Sequence, residues 1–426
     1  MLKYPVSLPR HLGITGTSIK GLQPRAPLLI LINHWRLTNS PVCISVYPLS
    51  QRTNITTGTI NSNKTSDKMS FKSAHVFAKS ARELDVQIQE KQKPTLEPDQ
   101  VLIRVIVSGT NPKDWKYPLF MKAASGLNTG DDVAGYVDAI GSNVTEFHVG
   151  DRVGAFHQMG TPYGSFAEYA VAWEKSTFHL PTQTSFEEAA TIPLAAMTAV
   201  VGLYARLGLP EPWVNVSQAR VDALAGGVLV YGAASAVGAF AVKLLLRSQI
   251  HPIIAVVGRG IPFVEGLLDK SKGDTVIDYR KGDEAVVAGI KAAIPAGQKL
   301  LYAFDAVSEN GSYQNIVKAL DPHGHLSLVL PGKKYDEVPE TVHKSLTTVG
   351  SVHGTPDDLK DLGYAWFRLF SLGLKEGWFS GHPYEVVPGG LNGVQKGLEN
   401  LRDGKASAVK YVYRIEETES IEKSKI

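Results

Sequence analysis

Six apolar runs of strand length, separated by helix-like stretches, occupy residues 190–353 and restrict the fold more than any other feature of the sequence. They are 226–232 (GGVLVYG), 252–258 (PIIAVVG), 274–280 (DTVIDYR), 300–307 (LLYAFDAV), 325–330 (HLSLVL) and 347–353 (TTVGSVH). Helices are expected from Ser235 to Ser248 and near 261–272, 283–294 and 311–320. Strands without polar alternation are covered on both faces, and six of them with intervening helices make a doubly wound parallel sheet. The flanks read differently. Residues 101–107 (VLIRVIV), Ala134–Ile140 and Phe166–Val171 are strand-like segments among Gly-rich turns. After a helix expected from Asp357 to Gly377, the β-like pattern returns and ends in AVKYVYRI, which is expected to rejoin the first domain. The fold class is therefore α/β, a β-rich domain interrupted by a doubly wound parallel sheet.

The expected divisions are a leader over 1–68, the first part of the β-rich domain over 69–188, the doubly wound domain over 189–353, and the return with a C-terminal tail over 354–426. The leader carries eight Lys or Arg against the single acid Asp67, whereas the remaining 358 residues carry 36 bases against 40 acids. The basicity thus belongs to the leader, and the mildly acidic body gives no reason to expect nucleic acid or an anionic membrane as partner. Rich in Ser, Thr and Asn, the leader reads either as a transit peptide or as a disordered or upstream segment before Met69. The location expected is cytoplasmic, or mitochondrial if the leader is a transit peptide. No run of about 18 apolar residues is evident in the body. A single cysteine, Cys43, rules out an intramolecular disulfide and a Cys-rich zinc site.

The first run feeds directly into Gly232-Ala-Ala-Ser-Ala-Val-Gly238 and an amphipathic helix, the context that gives a glycine pattern meaning. Gly232 allows the tight turn, and the small residues Ala233, Ser235, Ala236 and Val237 let a pyrophosphate approach the backbone. Gly238 lets the helix pack close to the strand, and helix N-terminal amides hold the phosphates. The bland alternative is a small-residue turn with no ligand. At the end of the second strand an acid would accept the ribose hydroxyls of NAD, but this strand ends in Val257-Gly258-Arg259. A guanidinium suits a 2′-phosphate, so NADPH is the cofactor expected. Tyr279 and Arg280 end the third strand and could join the same pocket, while Arg259 also has a reading as a solvated loop charge.

These residues resemble the medium-chain dehydrogenases and reductases, specifically the zinc-free quinone and enoyl reductase branch, and within it the fungal trans-acting enoyl reductases. The motifs are Asn111-Pro-Lys-Asp-Trp-Lys116, Gly130-Asp-Asp-Val-Ala-Gly135, Gly150-Asp-Arg-Val153, Gly164-Ser-Phe-Ala-Glu-Tyr169, Gly232–Gly238, Asp278-Tyr-Arg280, Val387-Pro-Gly-Gly390 and Gly404-Lys405. The resemblance implies a GroES-like catalytic domain interrupted by a Rossmann domain, with NADPH in the cleft between them. It also gives roles to Lys116, which could stabilise an enolate or supply a proton, to Asn111, which could orient substrate, and to Thr198, which would face the cofactor. Each has a plainer alternative: a surface lysine after a loop tryptophan, an Asn-Pro turn, and a helix threonine bonding its own backbone. Tyr163, Tyr169 and His157 read as packing residues.

Alcohol dehydrogenases of this family place a zinc-binding Cys near Thr110 and a His-Glu pair near Asp131-Asp132; this chain has neither. Without a Lewis acid the substrate must carry its own electron sink. A small-molecule enone, enoyl thioester or quinone does so, and a polyketide synthase is the implied partner. The competing reading is a dinucleotide-binding partner of a larger synthase with little turnover; a zinc alcohol dehydrogenase ranks third.

Overall fold

The structure is a computed structural model and describes residues 70–419. The expected leader and the last seven residues lie outside the described residues. The central stretch forms one six-stranded parallel sheet in the order Thr275–Asp278, Ile253–Val257, Val228–Tyr231, Tyr302–Asp305, His325–Leu328, His343–Leu346. The first and fourth strands in chain order are neighbours, so the winding reverses direction between them. In sheets of this order ligands bind at that reversal, outside the strands' carboxyl ends.

Five of the six strands fall within the expected apolar runs; the sixth does not. It is His343–Leu346, largely exposed, while Val349–His353 is a 3-10 helix. An edge strand has one neighbour and needs no continuous apolar run. Val349 and Val352 are buried in the main core instead. The helix expected near 261–272 is also shorter, Ile261–Glu265, because Gly266 caps it and only a 3-10 turn follows at Lys270–Lys272.

The second sheet has the order Tyr384–Val386, Lys410–Arg414, Gln100–Gly109, Asp132–Ile140, Arg152–Phe156, Thr177–His179, with Tyr169–Trp173 also paired to Gln100–Gly109. Val412 pairs with Gly109, so the chain's last strand closes onto this first domain. The strand expected at Phe166–Val171 starts later, at Tyr169; the Phe166 N–H donates to the Asn128 side chain at 3.2 Å and not to a strand neighbour. The alternatives of an Asn-Pro turn and a loop tryptophan give way to the helix Pro112–Phe120. Pro112 at its first position has no amide to satisfy, and the Asp114 carboxylate accepts the Asn111 N–H at 2.7 Å.

Two helical segments join the domains. Phe186–Arg206 is almost continuously helical and, contrary to the sequence expectation, is long and apolar enough to cross a membrane. However, 89% of its most apolar window is buried inside the protein. A helix that is apolar all round is a core helix when both sides are covered. The other, Lys360–Glu376, buries Trp366, Phe367 and Phe370. Trp366 stacks on Tyr204 at 4.8 Å and Phe367 on Phe178 at 5.6 Å, so this helix clamps the linker helix to the first domain.

Candidate active site

At the reversal, Val228–Tyr231 turns through Gly232, whose φ of +77° is a left-handed conformation that favours glycine. The helix Ala236–Arg247 follows, capped by Ser235, whose Oγ accepts the Gly238 N–H at 3.1 Å. A Cβ on Gly238 would overlap the Gly232 carbonyl, so only glycine lets this helix approach the strand so closely. The amides of Ala236 and Val237 have no acceptor among the described residues. Two free N–H groups at the start of a 12-residue helix are donors of the kind that hold a phosphate, and the residues here fit a dinucleotide. Ala233 is buried, and its N–H bonds Val256 at 3.1 Å, which ties the loop to the second strand.

Arg259 is exposed beyond the second strand, and one of its nitrogens donates to the Gly404 carbonyl at 2.7 Å. Gly258 faces the Tyr279 hydroxyl too closely for any Cβ, and Tyr279 lies nearly parallel to Tyr231, 6.4 Å away. Arg259, Tyr279 and the phosphate loop therefore stand together. Arg280 does not join them as a free cation. It folds back on Asp278 through two bonds of 2.8 and 2.7 Å, and the guanidinium holds that carboxyl down at about 2.

On the opposite side, Lys116 donates to the Glu309 carboxylate at 2.7 Å. Glu309 was not anticipated from the sequence, although its place just past the fourth strand's carboxyl end is where ligand-facing residues of such sheets occur. Asn111 is buried and its amide is engaged: Nδ2 donates to Asp132 at 2.7 Å and Oδ1 accepts from Lys410 at 2.9 Å. Lys410 also donates to Asp132 at 2.5 Å, and Asp132 accepts the Leu194 N–H at 2.7 Å. One buried carboxylate thus fixes the last strand, the residue that opens Pro112–Phe120, and the first turn of the helix bearing Thr198. The Thr198 hydroxyl donates to the Leu194 carbonyl at 2.7 Å, the plainer alternative for that residue, and its lone pairs are left to accept. Sequence reasoning missed Lys410 and Asp132 because a buried ion pair leaves no periodic signal.

The positions where alcohol dehydrogenases carry zinc ligands are occupied by bonded polar groups. The Thr110 hydroxyl donates to the Tyr411 carbonyl at 2.9 Å. Asp131 lies 2.7 Å from His157 Nδ1 and is paired with Lys113. Lys113 also reaches Asp114 at 2.9 Å. Among the described residues no group of three His, Cys, Asp or Glu side chains stands together as a metal would need. His157 is a buried strut of this network, and Tyr163 and Tyr169 pack on Phe71 at 6.4 and 5.5 Å.

The loop after the fourth strand is held by Asp305, whose carboxylate accepts from the Val307 and Ser308 amides and from Ser312 Oγ at 3.0, 2.8 and 2.6 Å. Burial is the largest influence on this carboxyl and pushes it up to about 6, above its ordinary 3.8. A raised folded-state value means that ionisation costs the fold stability, a cost absent below about pH 4 and complete above about pH 6. The stability of the native chain relative to Asp305→Asn should therefore fall between about pH 4 and 6 and level off above it, as urea melts at stepped pH would show.

Residues 97–182 match the family described as "Alcohol dehydrogenase GroES-like domain". Trans-enoyl reductase fsr4 of Gibberella fujikuroi is 48% identical over 309 residues, 72% of this chain and 89% of that protein. The chain belongs to the medium-chain dehydrogenase/reductase superfamily. A second relative in the superfamily, the enoyl reductase component lovC of lovastatin nonaketide synthase from Aspergillus terreus, is 30% identical over 341 residues, 76% of this chain and 91% of that protein. The fold matches an alcohol dehydrogenase superfamily protein from Novosphingobium aromaticivorans, with a TM-score of 0.64 and 21% identity over 81% of this chain and 99% of that one. As a member of this superfamily with enoyl reductase relatives, the chain is an oxidoreductase.

Proposed function

We propose that the chain is an NADPH-dependent reductase that delivers hydride to an activated C=C, in an enone or enoyl thioester, or to a quinone, without a metal ion. The observation that carries this reading is the placement of Lys116 opposite the loop that follows the fourth strand, where Val307 lies directly against Gly232 of the glycine turn. When bound, a reduced nicotinamide supplies hydride to the carbon conjugated with the carbonyl. The chain's own residues do the rest. The Ala236 and Val237 amides hold phosphate, Arg259 with Tyr279 meets the 2′-phosphate, and Arg280 reaches it only by leaving Asp278. The Lys116 ammonium meets the negative charge that gathers on the carbonyl oxygen as an enolate forms, and is the group placed to stabilise it or to return a proton. Thr198 keeps lone pairs that would face the cofactor, while Asn111 acts through the Asp132–Lys410 network that positions its helix. Thr110 and Asp131, at the positions where alcohol dehydrogenases carry zinc ligands, are bonded within the protein, which supports a substrate with its own electron sink. By analogy with the synthase-component relative, such a substrate would be presented by a polyketide synthase.

Fluorescence titration tests the cofactor. NADPH should bind at least about tenfold more tightly than NADH, a gap of ~1.4 kcal/mol, and Arg259→Ala should narrow it. Equal affinities in the native chain would overturn the pocket's assignment. An unchanged preference in Arg259→Ala would transfer the role to Arg280.

A further inference from the structure

We infer that Glu309 is the positioning residue for Lys116, holding its ammonium from across the domain boundary; this rests on the reading of Lys116 given above. Glu309 stands in a short loop whose conformation is unusual. Ser308 and Asn310, on either side of it, have φ of 60° and 53°, and Gly311 follows at 83°. Asparagine adopts left-handed backbone readily, but at a serine such as Ser308 it is costly and persists only where surrounding bonds over-determine it.

Those bonds are present. Asp305 accepts the Val307 and Ser308 amides, Ser308 Oγ donates back to the Asp305 carbonyl at 3.1 Å, and the Val329 N–H donates to Ser308 Oγ at 3.0 Å. The strained loop is thus fixed to the fourth and fifth strands. Glu309 projects from it to Lys116 Nζ at 2.7 Å, from one domain to the other.

The ion pair is not a stability device. The Glu309 side chain is 42% exposed and that of Lys116 17%, and a pair so open to water adds little. Its consequence is geometric: a flexible lysine with four rotatable bonds is held in one direction. Val307, two residues before Glu309, rests on Gly232, so the loop that carries Glu309 is anchored beside the glycine turn. Loss of the Glu309 carboxylate should leave cofactor binding and folding intact and lower the rate of the step in which Lys116 meets developing charge.

The test is a double-mutant cycle on the full chain with NADPH and a crotonyl N-acetylcysteamine thioester, reading kcat, KM for both reactants and thermal midpoint. Glu309→Gln should lower kcat about threefold to tenfold with KM for NADPH and the melting temperature unchanged, and Glu309→Asp should recover part of the loss. In the Lys116→Met background, Glu309→Gln should have no further effect, because residues acting as a unit are not additive. A fall in kcat for Lys116→Met, with Glu309→Gln left at the native rate or multiplying that fall independently, would overturn the role of Glu309 alone. Undiminished turnover in Lys116→Met would overturn the reading of Lys116 and the positioning role with it.

Discussion

Replacing Lys410 with Met should destabilise the protein by about 3–5 kcal/mol, the cost of stranding a buried charge. Lys410 and Asp132 are among the most deeply buried charged residues described, at 4% and 0% exposure. Without the ammonium, the Asp132 carboxylate keeps only the Asn111 amide and the Leu194 N–H as partners. Methionine fills the space of the stem but supplies no donor. The loss therefore falls on solvation of the anion rather than on packing, and Asp132→Asn combined with Lys410→Met should recover part of it. Asn111 can turn its amide to meet the new one, whereas it cannot neutralise a carboxylate. Urea melts of the three variants decide the matter. A loss under about 1 kcal/mol for Lys410→Met would mean that water reaches Asp132, as it does for exposed pairs.

Turnover of an α,β-unsaturated carbonyl should fall about tenfold to a hundredfold in Lys116→Met, with NADPH affinity nearly unchanged. The ammonium meets little charge on the ground-state carbonyl and more on the enolate, so its removal raises the barrier without weakening ground-state binding. Removing one such donor from a dry site costs ~10²-fold or more. Lys116 retains 17% exposure, so water can substitute in part and the lower end of the range applies. Steady-state rates and cofactor titration check both halves. Loss of cofactor binding along with turnover would assign Lys116 a structural role instead.

The sequence disclosed what depends on continuous patterns. The parallel sheet was legible because buried strands such as Ile253–Val257 have no polar alternation, and the phosphate loop because Gly232 and Gly238 sit at fixed distances from a strand and a helix. The edge strand His343–Leu346 escaped notice because one exposed side removes the signal that the others carry. The helix Pro112–Phe120 was hidden by Asn-Pro, which signals a turn and equally well a helix start. The site's long-range pairs were out of reach altogether. Lys116 and Glu309 are 193 residues apart, and Lys410 and Asp132 are 278 apart. Only the fold brings them together, and neither pair leaves a local pattern.

The proposed reaction is reduction of an activated double bond at the expense of NADPH. The most direct measurement is turnover of the full chain with NADPH deuterated at C4 and a crotonyl N-acetylcysteamine thioester, followed by mass spectrometry of the product. One saturated thioester should form per NADPH consumed, with deuterium on the β-carbon and at a rate that survives exhaustive chelation. A chain that binds NADPH but forms no saturated product above the protein-free control would contradict it and favour a dinucleotide-binding partner with little turnover.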